Sequence, residues 1–106
     1  MKVAGNNDTI LINHNRFVFD AGNELCLHPL SEIKRIFIMT TAQRVINQTV
    51  FLVFETEADF YLMGITHPDF QKVLNDVSGV FDVDQNVIIE AMQNVGQKQF
   101  TLYQKG

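Results

Sequence analysis

The middle of the chain contains three short runs in which every position is apolar. They are Ile36–Met39, Val50–Phe54 and Phe60–Met63. Successive side chains of a strand point to opposite faces of its sheet, so strands of this composition need cover on both faces. Two amphipathic helices near the C-terminus offer cover for one face. We expect the other face to be covered by a curled sheet or by a second subunit.

Turn residues and β-propensity predict strands over most of the N-terminal part of the chain. One predicted hairpin pairs Thr9–Asn13 with Arg16–Asp20, and a second pairs Thr49–Glu55 with Asp59–Gly64. Between them we predict a strand over about Ile33–Thr40, because it is rich in β-branched and aromatic residues.

A change of apolar period, from two residues to about 3.6, predicts two helices after Thr66. Thr66 is the predicted N-cap of the first, which Gly79 ends and whose apolar stripe is Phe70, Val73, Leu74 and Val77. Asp84 is the predicted cap of the second, which Gly96 ends and whose stripe is Val87, Ile88, Ala91, Met92 and Val95. A last strand, Gln99–Tyr103, follows. The order predicts an α+β fold: a mainly antiparallel curled sheet, then two helices and a final strand.

Length and composition indicate one globular domain. The chain has 106 residues, of which 46% are hydrophobic. Residues 1–8 are small and polar and are predicted to be a flexible N-terminus, with a single domain over 9–106. Cys26 is the one cysteine, which favours a reducing compartment, and no apolar run is long enough for a secretion signal or a spanning helix. We therefore expect a cytoplasmic protein without integral membrane association.

The strand predicted over Glu24–His28 carries the residues closest to a chemical motif. Its alternation predicts that Leu25 and Leu27 face inward, and that the outer face carries Glu24, Cys26 and His28. A nucleophile needs an oriented base, and zinc usually needs three or four protein ligands. We interpret this trio as a candidate surface and predict no catalytic residue, metal or cofactor. A small enzyme using Cys26 and His28 remains a less favoured alternative.

Charge narrows the range of partners. The net charge is −4 and the eight basic residues are scattered, so no nucleic-acid surface is predicted. Lys34, Arg35 and Arg44 form the one candidate basic patch. Each basic residue near an anionic membrane contributes on the order of 1 kcal/mol, so weak contact with a membrane surface, or binding of a small ligand, is the alternative function. The leading hypothesis is a binding or scaffolding domain that acts through a protein partner or as a homodimer.

The segment Leu30–Ile36, with the sequence LSEIKRI, resembles a stretch of bacterial pleckstrin-homology-like domains of unknown function. The resemblance implies curled antiparallel strands that precede a C-terminal helix. For lipid-binding members it also implies several basic residues around the first hairpin turn, where this chain has Arg16.

Overall fold

The computed structural model describes residues 1–41, 50–94 and 96–106. In order along the chain, these residues form β1 (Lys2–Val3), β2 (Thr9–Ile12), β3 (Arg16–Asp20), β4 (Leu25–Pro29), β5 (Ile33–Thr40), β6 (Val50–Thr56), β7 (Phe60–Gly64), α1 (Phe70–Val80), α2 (Gln85–Gln93) and β8 (Lys98–Gln104). A single turn of 3₁₀ helix, Leu30–Glu32, connects β4 to β5. The predicted α+β class, both hairpins, both helices and the final strand are confirmed.

The strands form two sheets. A five-stranded sheet has the order β1-β7-β6-β5-β8, with β1 parallel to β7 and the other pairs antiparallel. A three-stranded antiparallel sheet has the order β2-β3-β4. The single curled sheet that we predicted is therefore replaced by two sheets that share one core.

The main core lies between the two sheets and the helices. The five-stranded sheet contributes Ile36, Ile38, Leu52, Phe54, Tyr61 and Met63. The three-stranded sheet contributes Ile10, Ile12, Phe17 and Phe19, and α1 contributes its whole predicted stripe, Phe70, Val73, Leu74 and Val77. Burial of these side chains is the main source of the protein's stability, because the transfer of apolar surface out of water is favourable.

The opposite face of the five-stranded sheet carries a second apolar cluster. Phe37, Val53 and Leu62 lie side by side on β5, β6 and β7, and Met39 and Phe51 pack against them. The three central residues are at most 5% exposed. The central strands are thus buried on both faces, as their uninterrupted apolar runs predicted.

The start of α1 differs from the prediction. The helix begins at Phe70 with Asp69 at its N-cap, so Thr66 is not the cap. The side chain of His67 takes over part of that role, because its Nδ1 accepts a hydrogen bond from the backbone N–H of Asp69 at 3.0 Å. Its Nε2–H then donates to the carbonyl of Asp8 at 2.9 Å. These two bonds satisfy an imidazole that is 5% exposed.

Of three further predicted helix boundaries, the structure agrees with one and differs from two. Asp84 caps α2 as expected, since its carboxylate accepts from the backbone N–H of Asn86 at 2.9 Å. α2 ends at Gln93, before the predicted stop at Gly96. Gly79, the predicted end of α1, lies inside its last turn without a positive φ, and the helix continues to Val80.

The N-terminal segment departs from the flexible tail that we predicted over residues 1–8. Lys2 and Val3 pair in parallel with Tyr61 and Leu62 of β7, and the backbone N–H of Ala4 donates to the Leu62 carbonyl at 2.8 Å. The small polar residues of this segment concealed the pairing, because backbone hydrogen bonds need no particular side chain.

Candidate functional site

The alternation of β4 is opposite in phase to the prediction. Leu25 and Leu27 are 61% and 55% exposed, whereas Cys26 and His28 are half-buried and point into the layer between the sheets. The register explains the error: cross-strand partners share a face, and the buried Phe17 and Phe19 of β3 lie opposite His28 and Cys26 respectively. The prediction that Cys26 and His28 share an outer face is wrong.

The register follows from the length of the loop between β3 and β4. Asp20 pairs with Leu25, and the intervening loop contains Gly22, whose φ of +81° is unfavourable for any residue with a Cβ. The carboxylate of Asp20 accepts from the Gly22 backbone N–H at 2.9 Å and so holds this loop. The predicted strand began one residue earlier, at Glu24, and leucine hydrophobicity alone then suggested the wrong inner face.

His28 belongs to a hydrogen-bonded chain that joins the two sheets. Its Nδ1 lies 2.7 Å from Glu32 Oε1, and its Nε2 lies 2.8 Å from the Tyr61 hydroxyl on β7. Burial first, and then the neighbouring Cys26 thiol, raise the pKa of Tyr61 above its ordinary value. Tyr61 therefore keeps its proton, and its hydroxyl donates a hydrogen bond to Nε2. With Nε2 as the acceptor, the N–H of the other ring nitrogen, Nδ1, donates to the Glu32 carboxylate.

A carboxylate, an imidazole and a hydroxyl in this order also occur in nucleophilic active sites. Here the hydroxyl is enclosed: Tyr61 is 2% exposed, and the ring centroids of Phe17 and Phe19 each lie 5.2 Å from its own. A substrate would reach the oxygen only if the sheets separated. The arrangement satisfies buried polar groups and links β4 to β7.

Glu24 lies outside this chain of hydrogen bonds. Its carboxylate contacts Lys2 Nζ at 2.7 Å and, mainly through this hydrogen bond, raises the pKa of the lysine. The pair connects the edge of the five-stranded sheet to the loop before β4. Within residues 1–41, 50–94 and 96–106, no three His, Cys, Asp or Glu side chains are grouped so that they could hold a metal ion.

Two members of the candidate basic patch are paired with acids. Lys34 Nζ lies 3.9 Å from Glu57, and Arg35 Nε donates to Glu55 at 3.2 Å while its guanidinium stacks on the Phe37 ring at 4.0 Å. They line an open cleft of about 560 Å³ whose other residues include both acids and Lys105. Because the charges are mixed, the attraction of this cleft for an anion is partly cancelled. Arg44 lies outside the described residues.

The outer face of the three-stranded sheet is an apolar surface that the sequence analysis missed. It carries Thr9, Leu11, Arg16, Val18, Asp20, Leu25, Leu27 and Pro29. Leu11, Val18 and Leu27 form one row across the three strands, and Leu25 adjoins it. Leu11 is 38% exposed, so each of the three leucines offers apolar surface to water. The signal that could have found this face is the pair Phe17 and Phe19 at alternate positions of a strand that the charged Arg16 and Asp20 flank, combined with the loop length.

Compared with protein-family models, with curated proteins and with solved structures, the chain has no match in any of the three. No helix among the residues that the structure describes combines the length and the apolar character needed to cross a bilayer.

Proposed function

We propose that this chain is a protein-interaction domain that binds through the outer face of the three-stranded sheet. The observation that carries the proposal is the exposure of Leu25 and Leu27, at 61% and 55%, beside Leu11 on one regular surface. Single exposed apolar residues are common on proteins, whereas a contiguous group on one face is typical of a binding surface.

The energetics support a protein partner. Complete burial of a leucine side chain stabilises by about 1.5 to 3 kcal/mol, so covering the remaining exposed area of the three leucines contributes about 2 to 5 kcal/mol. The flanking charges Arg16 and Asp20 give the apolar row a polar rim, which is the usual composition of a protein interface. The single cysteine, Cys26, supports a reducing and therefore cytoplasmic setting for the interaction.

The test is photo-crosslinking in expressing cells, with a benzophenone amino acid in place of Leu11. We expect a discrete protein adduct from this position. The matched control places the same amino acid at Lys72 on α1, whose side chain is 67% exposed but lies away from the outer face, and should give no adduct of that mass.

A second variant ties the adduct to the surface. Leu27→Asp in the chain with the photoreactive group at Leu11 should abolish the adduct without unfolding the chain, because Leu27 already has 55% of its surface in water. Equal adducts from Leu11 and Lys72, or an adduct that survives Leu27→Asp, would refute the proposal.

A further inference from the structure

The arrangement of charges on the outer face of the three-stranded sheet indicates which partner it fits. We propose that the partner is a second copy of this chain, packed face to face, with the two-fold axis lying in the interface and running across the strands. This inference rests on the proposed function and specifies its partner.

The outer face consists of three rows across the strands. The middle row is Leu11, Val18 and Leu27. Arg16 and Pro29 lie at one end, and the row at the other end is Thr9, Asp20 and Leu25. Arg16, Val18 and Asp20 all belong to β3, the central strand, so the two opposite charges lie on the midline of the face at equal distances from Val18.

Two symmetric ways of packing this face on its own copy can be compared. An axis along the strands places Arg16 against Arg16 of the second copy, and Asp20 against Asp20. An axis across the strands reverses the strand direction, so that Arg16 faces Asp20 of the second copy and Asp20 faces its Arg16. The apolar middle row then meets its own copy, and Leu25 meets Pro29 of the second copy. Like charges in contact are costly, so the charges select the second arrangement.

Sheet twist leaves the charge pairs within reach. Packed sheets cross at about 30°. Arg16 and Asp20 lie two residues from Val18, which is about 7 Å along a strand, so this rotation displaces the ends by roughly 3.5 Å. A long arginine side chain spans such a displacement, because its stem rotates freely before it binds.

Both charged groups are available for these contacts. Neither Arg16 nor Asp20 takes part in an ion pair with any residue that the structure describes. One carboxylate oxygen of Asp20 accepts from the Gly22 N–H, which leaves the other for an arginine.

The size of the face predicts a dimer that dissociates on dilution. Three strands of about five residues form a rectangle of roughly 14 by 17 Å. The area of this rectangle is well below the roughly 800 Å² that each partner buries in a standard stable interface. The association must therefore be measured over a series of concentrations, from micromolar to millimolar.

The experiment is sedimentation equilibrium of two complementary variants, Arg16→Glu and Asp20→Lys. Each variant alone makes both cross-interface pairs repulsive, so we expect its dissociation constant to rise by about tenfold or more. In an equimolar mixture, the Arg16→Glu chain and the Asp20→Lys chain form two attractive pairs. We therefore expect the mixture to recover a dimer of wild-type affinity. A mixture that stays monomeric, or single variants that dimerise like the wild type, would overturn the inference.

A conservative variant keeps the test valid if Asp20→Lys disturbs the loop. Asp20→Asn retains the oxygen that accepts from Gly22 and loses only the charge. The wild-type dimer should weaken as salt is raised, whereas a chain carrying both Arg16→Gln and Asp20→Asn should show little salt dependence. Equal salt dependence of the two chains would contradict the proposed orientation.

The outcomes also separate this inference from the proposed function. A photo-adduct from Leu11 that contains a different protein, together with a wild-type chain that is monomeric at every concentration, would overturn the second-copy inference and leave the interaction surface intact. Absence of any adduct and of any dimer would overturn both.

Discussion

The two sheets share a core, but their other faces differ in solvent exposure. On the five-stranded sheet, Phe37, Val53 and Leu62 of the second face are at most 5% exposed. On the three-stranded sheet, Leu25 and Leu27 of the outer face are more than half exposed. Side chains of similar hydrophobicity thus lie in opposite environments. The position of a strand in the fold, and not its hydrophobicity, therefore decides whether an apolar residue stabilises the core or remains exposed for binding.

The largest expected effect comes from the same substitution made in both sheets. Leu52→Ala removes a side chain with 0% exposure from the five-stranded sheet and should lower the free energy of unfolding by about 2 to 5 kcal/mol. Leu27→Ala in the three-stranded sheet should lower it by less than about 0.5 kcal/mol. Urea denaturation at low protein concentration measures both. Comparable losses would mean that the two sheets are not as different as their exposures indicate.

Removing the hydrogen bond between Tyr61 and His28, which links the two sheets, should have an intermediate effect on the free energy of unfolding. Tyr61→Phe removes the hydroxyl that donates to His28 Nε2 and leaves a half-buried acceptor without its partner, which should cost about 1 to 3 kcal/mol of unfolding free energy. The matched control is Tyr103→Phe, since the half-buried Tyr103 packs on Phe81 through its ring, with a centroid distance of 4.1 Å. A control that loses as much stability as Tyr61→Phe would contradict the role of the hydrogen bond.

The same tyrosine makes stability depend on alkaline pH. Burial and the Cys26 thiol raise the pKa of Tyr61 in the folded chain, so the folded chain keeps a proton that the unfolded chain loses above a pH of about 10. Below that pH both the folded and the unfolded chain hold the proton, and Tyr61 does not contribute to the pH dependence of stability. Above it, ionisation favours the unfolded chain, and stability falls as pH rises. Tyr61→Phe should flatten this alkaline decline in denaturation curves, and an unchanged decline would exclude Tyr61 as its cause.

The smallest expected effect on stability comes from removing the N-cap side chains of the two helices. α2 lies against β5 and β8 of the five-stranded sheet, and α1 lies against β2 of the three-stranded sheet. Asp84→Ala removes the side-chain cap of α2 and should lower the melting temperature by an amount equivalent to about 1 kcal/mol. Asp69→Ala in α1 removes no side-chain capping bond and should cost only a few tenths, roughly 0.3 kcal/mol, through the helix dipole. Equal losses would show that capping does not distinguish α1 from α2.

Much of the fold could be predicted because it depends on local patterns. The apolar runs of β5, β6 and β7 predicted strands buried on both faces, and the stripe of α1 predicted the helical side of the core. The candidate site was predicted less well. Cys26 and His28 were expected on an outer face, but they lie between the sheets because loop length and the aromatic residues of β3 set the register. One residue of register exchanges the two faces of a strand.

Local patterns in the sequence are sufficient for the α+β class, for the order of strands and helices from β2 to β8, and for the cap of α2 at Asp84, because periodicity and capping act over a few neighbouring residues. Three features become visible only in the folded chain: the strands divide into two sheets, His28 meets Tyr61 across 33 positions of the chain, and Leu25 and Leu27 face water. These features depend on which strands pair and in what register. Such long-range choices are set by the packing of the whole core and leave little trace in any local segment.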